Sequence, residues 1–160
     1  MGEVLRIAVD VYSPNHQKTI KYTGDHPSRT FKILPPLMRS IFRVTSTNFY
    51  EDEIKWDIST EDVVFYGVWR ATHPEDGRTK FWIKVKVIGT QNSKTKKGTV
   101  TIYIHPYMIT KMPYSNFIDK AIAKSYSYFF YGDQRRRYID KELLYLKEFE
   151  EKVREALGIR

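Results

Sequence analysis

Between residues 42 and 106 the apolar side chains recur at every second position, and no other feature constrains the fold of this chain as strongly. The clearest run is Thr79 to Ile88. Successive side chains of an extended backbone point to opposite faces, so Phe81, Ile83, Val85 and Val87 share one side while Lys80, Trp82, Lys84 and Lys86 share the other. Ile54, Trp56 and Ile58 alternate in the same way with Glu53, Lys55 and Asp57, and Val100, Ile102 and Ile104 form a further apolar row. Turn residues separate these runs: "STED" before Val63, then Pro74, Asp76 and Gly77, then "GTQNSKTKKG". Short connections with no helical period between the strands give an antiparallel meander as the simplest topology.

The flanks read differently. Leu5, Ile7, Val9 and Val11 predict a first strand, "SPNHQ" a turn, and Thr19 to Thr23 a short second strand. After Ser28, a candidate N-cap, the residues Phe31, Leu34, Leu37, Met38 and Ile41 fall on one helical face. Pro35 and Pro36 each remove a backbone donor, so two short helical pieces are expected in place of one helix. Ser115 is a candidate cap for a helix to about Tyr131 with Ile118, Ile122, Ser125 and Phe129 in one row. A second helix carries Ile139, Leu143, Leu146, Phe149, Val153 and Leu157 and stops at Gly158. From Phe129 to Ile139 the helical rotation leaves the two rows roughly 80° out of phase, which predicts a kink or break at Gly132. The expected fold class is therefore α+β: an antiparallel curved meander, two short helices after the first strand, and long C-terminal helices on the sheet. Residues 1–160 would form a single domain, with 133–160 as a C-terminal helical extension.

Composition narrows the chemistry. The chain has 160 residues and no cysteine, so disulfides, thiolate catalysis and cysteine-ligated metals drop out. No apolar run is long enough for a membrane span, and the N-terminus lacks a signal-peptide pattern, so a cytoplasmic location is expected. The net charge of +8 lies between Arg78 and Ile118, where eight basic residues occur with no acid. Asp133 to Arg160 holds eight basic and seven acidic residues and is nearly neutral.

Two basic features are candidate anion or nucleic-acid contacts. Lys80, Trp82, Lys84 and Lys86 share one sheet face, where cations could follow phosphates while the indole stacks on a base. The alternative is an ordinary solvated strand face. Arg135, Arg136 and Arg137 follow "YFFYGDQ", but three consecutive residues spread over roughly 200° of a helix and form no flat face. Of the histidines, His26, His73 and His105 precede proline and are expected exposed at strand ends or in loops; with His16 they show no metal-binding spacing, so no metal is expected. The acids at 51–62 read as a solvated edge. No phosphate-loop, dinucleotide or serine-nucleophile motif is present, so no cofactor is expected and the sequence leaves enzymatic activity open.

The order of these elements, from Leu5 to Val11 through "SRTFKILPPLMRSIF" and the meander ending at "TVTIYIHP" to the helices after Ser115, resembles the helix-grip fold of START-like, Bet v 1-like and polyketide cyclase-like proteins. The second C-terminal helix after Gly132 departs from that pattern. The resemblance implies a curved sheet wrapped around a helix, with a small hydrophobic or aromatic ligand held between them. It would make Phe81, Ile83, Val85 and Val87, with Ile118, Ile122 and Phe129, the ligand-binding wall. The same residues would equally fill a solid core. Single-stranded nucleic acid is the alternative partner, and the C-terminal helix a candidate surface for a homo-oligomer.

Overall fold

The computed structural model describes residues 3–114, 116–129 and 131–159, without the side chains of 114, 117 and 127–129. Ser115 and the side chain of Phe129 therefore lie outside the described residues. The meander is present as expected. β3 (Phe49–Asp57), β4 (Asp62–Pro74), β5 (Thr79–Asn92) and β6 (Lys97–Tyr114) pair antiparallel in sequence order. β1 (Glu3–Asp10) and β2 (Lys18–Asp25) lie end to end along the free side of β6, with Asp10 opposite Tyr107 and Lys18 opposite Ile104. After a last bond from Val11 N–H to the Pro106 carbonyl at 3.1 Å, residues 12–17 leave the sheet edge, so β1 and β2 act as one interrupted edge strand.

Register explains which face is buried. Trp69 pairs with Val85 and Val85 with Ile104, while Arg70 pairs with Lys84 and Lys84 with His105. The first row points to the core and the second away from it. Phe81, Ile83, Val85 and Val87 are wholly buried in one contiguous core with Phe65, Trp69, Ile102, Ile104 and Met108.

Helices cover that face. After a 3-10 turn at Pro27–Arg29, α1 runs from Thr30 to Ile41 with both Pro35 and Pro36 inside it. The expected interruption is absent for an energetic reason. Interior prolines cost roughly 3 kcal/mol each, whereas full burial of a Leu or Met side chain contributes roughly 1.5–3 kcal/mol. Leu34 and Met38 are wholly buried and Ile41 nearly so. Phe31 adds ring contacts to Trp56, Trp69 and Phe65 at 4.8, 5.3 and 5.5 Å. Ser28 is not the cap: its N–H donates to Gln91 Oε1 at 3.0 Å, and Arg29 precedes the helix without a side-chain cap.

The C-terminal region breaks where the phase argument places the break, with α2 at Phe117–Phe129 and α3 at Gly132–Leu157. The roles of the two helices differ from expectation. α3, 26 residues and roughly 39 Å long, lies on the sheet and buries Leu146, Phe149, Val153 and Leu157. Its Phe149 ring sits 5.5 Å from Phe42. α2 packs beside β6 and β1, and its Ile118 and Ile122 are 69% and 62% exposed. A row of Leu146, Phe149, Val153 and Leu157 offers more apolar area than one of Ile118 and Ile122, which decides which helix covers the core. Gly158, at φ 74°, ends α3, and Ile159 N–H donates back to the Arg154 carbonyl at 2.9 Å. A curved antiparallel sheet with helices gripping one face is a helix-grip-like topology.

Candidate functional site

The most unusual buried chemistry lies where α3 crosses the β4–β5 turn. His73 ends β4 with its ring directed to the core side, as its pairing with Phe81 requires. Asp76 Oδ1 accepts the N–H groups of Arg78 and Thr79 at 2.7 and 2.8 Å, which tightens the turn and sets Glu75 beside the helix. The helix supplies Glu142. His73 Nε2 lies 2.6 Å from Glu142 Oε1 and 3.2 Å from Glu75 Oε1, and Lys141 pairs with the other oxygen of Glu75. Both glutamate side chains are fully removed from solvent. Tyr131 and Tyr138 donate their hydroxyls to Asp76 Oδ2, the second at 2.8 Å, so the first half of α3 is latched to this turn by polar contacts.

Burial and proximity set the charges. Burial opposes a charge on His73, but hydrogen bonds to Glu142 and Glu75 outweigh it and raise the imidazolium to about 9. Burial also pushes the Glu142 carboxyl up, with His73 pulling it down and Glu75 pushing it further up. Burial would raise Glu75 too, yet its bonds to His73, Glu142 and Lys141 hold it well below the usual carboxylate range. Near neutral pH the cluster is thus a protonated His73 and Lys141 facing an ionised Glu75 and a Glu142 close to its titration point. His73 Nδ1 and Glu142 Oε2 have no hydrogen-bond partner among the described residues, although both are buried.

His73 and Glu142 help to line a groove of about 320 Å³ between the end of α1, the end of β4 and α3. Ile41, Phe42 and Pro74 give it apolar walls, Tyr145 an aromatic one, and Arg43 and Lys141 line it with positive charge. His73, Glu75 and Glu142 each offer one donor atom within 4.8 Å of the others, as do Asp10, His16 and His105. In the first set the proton on His73 and the Lys141 ammonium already face the carboxylates. In the second, Asp10 bridges His16 at 2.6 Å and His105 at 2.9 Å on the opposite side of the sheet.

The structure distributes the residues singled out in the sequence over four places. Phe81, Ile83, Val85 and Val87 fill the core and do not reach the groove. Ile118 and Ile122 face outward on α2, where Ile122 joins Met112, Pro113 and Tyr126 along a shallow groove beside β6. Lys80, Trp82, Lys84 and Lys86 occupy the outer sheet face. Arg135 to Arg137 begin α3, with Arg135 half-buried over the Tyr131 ring at 5.5 Å and the next two exposed. The sequence reading missed His73, expected in the open, and Glu142. Glu142 had a signal: it stands at the i−4 position of Leu146 in the row 142, 146, 149, 153, 157, where Leu143 was expected and is instead 37% exposed.

No protein-family model matches the chain, and no curated protein matches it. Among solved structures it is similar to a Staphylococcus aureus protein of unknown function, SA2116, at 8% sequence identity and a TM-score of 0.31, covering 98% of this chain and 95% of that one.

Proposed function

We propose that the protein binds a small, mainly hydrophobic or aromatic molecule in the groove between α1, β4 and α3, with one polar head group directed at His73 and Glu142. The observation that carries this reading is a groove with apolar walls that His73 and Glu142 help to line, each of them holding a buried polar atom without a hydrogen-bond partner among the described residues. A buried donor left unpaired costs roughly 1–3 kcal/mol, so a ligand that satisfies it recovers that energy on binding. Protonated His73 Nδ1 donates, and Glu142 near its titration point can donate or accept; the fitting head group therefore both accepts and donates, as a carboxylic acid, a phenol or an amide does. A volume of about 320 Å³ is at the lower end of small-molecule sites. This position lies at the rim of the sheet, apart from the wall of Phe81, Ile83, Val85 and Val87 that the helix-grip resemblance implied, since those four are buried in the core and do not line the groove.

Native mass spectrometry of the purified protein, followed by thermal-shift screening with small aromatic acids, phenols and amides, tests the reading. A copurified species, or a rise in melting temperature that Tyr145→Ala reduces, is expected. Absence of both across all three compound classes rejects it.

A further inference from the structure

The face of the sheet turned away from α1 and α3 carries a different chemistry. Tyr50 of β3, Trp82 of β5 and Tyr107 of β6 form a row across the strands. Ring centroids are 6.1 Å apart between Tyr50 and Trp82 and 6.3 Å between Trp82 and Tyr107, with ring planes 22° and 5° apart. Such offset stacking leaves part of each ring face uncovered. The Arg70 guanidinium lies 5.2 Å from the Tyr50 ring and 5.4 Å from Trp82, and Asp52 holds it there through two hydrogen bonds. The fold, and not the spacing along the chain, makes this row, since its three rings come from three strands.

Cations surround it. Register puts Lys84 and Lys86 on the same face, and beside Trp82 a concavity of about 230 Å³ is lined by Arg6, Arg78, Lys80 and Lys111. The carboxylate at that concavity, Asp76, already accepts from two backbone N–H groups and two tyrosine hydroxyls. Among the described residues Arg6, Lys80, Lys84 and Lys111 form no salt bridge. Four positive charges from three strands and a turn thus converge on a pocket that has a tryptophan for a wall. Trp82 and Tyr107 are half-buried, so each keeps part of its ring surface at the solvent. A flexible polyanion that also presents flat aromatic faces uses both features, and single-stranded nucleic acid is that chemistry.

We propose that this outer face binds single-stranded nucleic acid, with bases stacking on Trp82 and Tyr107 and a backbone phosphate seated among Arg6, Arg78, Lys80 and Lys111. The site is separate from the groove, so it stands or falls independently of the ligand reading. Fluorescence anisotropy with labelled 12-nucleotide DNA and RNA strands at 50 and 200 mM salt is the test. With one phosphate in that pocket and one each at Lys84 and Lys86, the logarithm of affinity falls with the logarithm of salt at a slope of about −2. Lys80→Glu with Lys111→Glu, both exposed, weakens binding at least tenfold and flattens that slope. Trp82→Ala weakens it by about fivefold to a hundredfold, and Trp82→Phe, which keeps an aromatic face and the fold, retains most of it. Lys147→Glu on α3 leaves binding unchanged. Absence of binding at 50 mM salt overturns the proposal. So does binding that is indifferent to Trp82→Ala and is competed equally by polyglutamate, which marks a site for any polyanion.

Discussion

Raising the pH from 6 to 9.5 should destabilise the protein, mainly through His73. Its imidazolium is raised from the ordinary 6.5 to about 9 in the fold, so the folded state keeps a proton that the unfolded chain releases. Below pH 6.5 both states are protonated and the contribution is fully present. Through the window from 6.5 to 9 the folded state binds more protons, and stability falls by up to about 1.4 kcal/mol per pH unit. The full window corresponds to about 3 kcal/mol, which the partial exposure of the ring and solvent screening reduce to about 2 kcal/mol. Groups facing the ring come from its own turn and from α3: Glu75, Glu142 and, through Glu75, Lys141. Glu142, held above its ordinary value, adds to the loss on the acidic side of the window. Glu75, held below its own, contributes stability above its ordinary 4.5 that disappears as the pH falls further. Urea unfolding at pH 6, 7, 8, 9 and 9.5 should show the decline, and His73→Asn should flatten it between pH 7.5 and 9.5 while lowering stability at pH 7. In an NMR titration the His73 ring should turn over near pH 9. A midpoint at or below 6.5, or a variant whose pH curve runs parallel to the parent's, would refute the assigned cluster.

Other consequences concern the fold. Phe149→Ala removes a wholly buried ring between α3 and Phe42 and should cost about 3–5 kcal/mol, read from chemical denaturation. Gly98→Ala would place a Cβ 1.8 Å from the Thr90 carbonyl oxygen in the β5–β6 hairpin, so the strand end must separate; a loss above about 2 kcal/mol with slowed folding is expected, and a neutral result would contradict that register. Tyr138→Phe removes one hydroxyl from Asp76 and should lower stability by about 1 kcal/mol while hydrogen exchange speeds up in the first turns of α3 and not in its last ones.

Strand content, order and facing were legible because alternation is a local signal: the 79–88 run alone tells inward Phe81 from outward Lys80. The break before α3 was legible from phase. Helix assignment over the sheet was not, since Ile118 and Ile122 make a plausible apolar row until the longer row of α3 competes for the same surface. Pro35 and Pro36 misled because the burial that α1 gains is of the same order as their local cost and offsets it. The site was hidden for a different reason. His73 and Glu142 are 69 residues apart, and only the crossing of α3 over the β4–β5 turn joins them. Pre-proline geometry correctly puts His73 at a strand end and says nothing of what covers it. The outer aromatic row was half legible: Trp82 among lysines was visible, while Tyr50 and Tyr107 needed the register.

Chemical-shift mapping with a small aromatic carboxylic acid tests the central claim most directly. Saturable shifts at His73, Glu142, Tyr145 and Ile41, with the backbone around Val85 and around Trp82 unmoved, are the predicted result. Shifts confined to the outer face, or none in the millimolar range, would contradict a ligand site at the rim of the sheet.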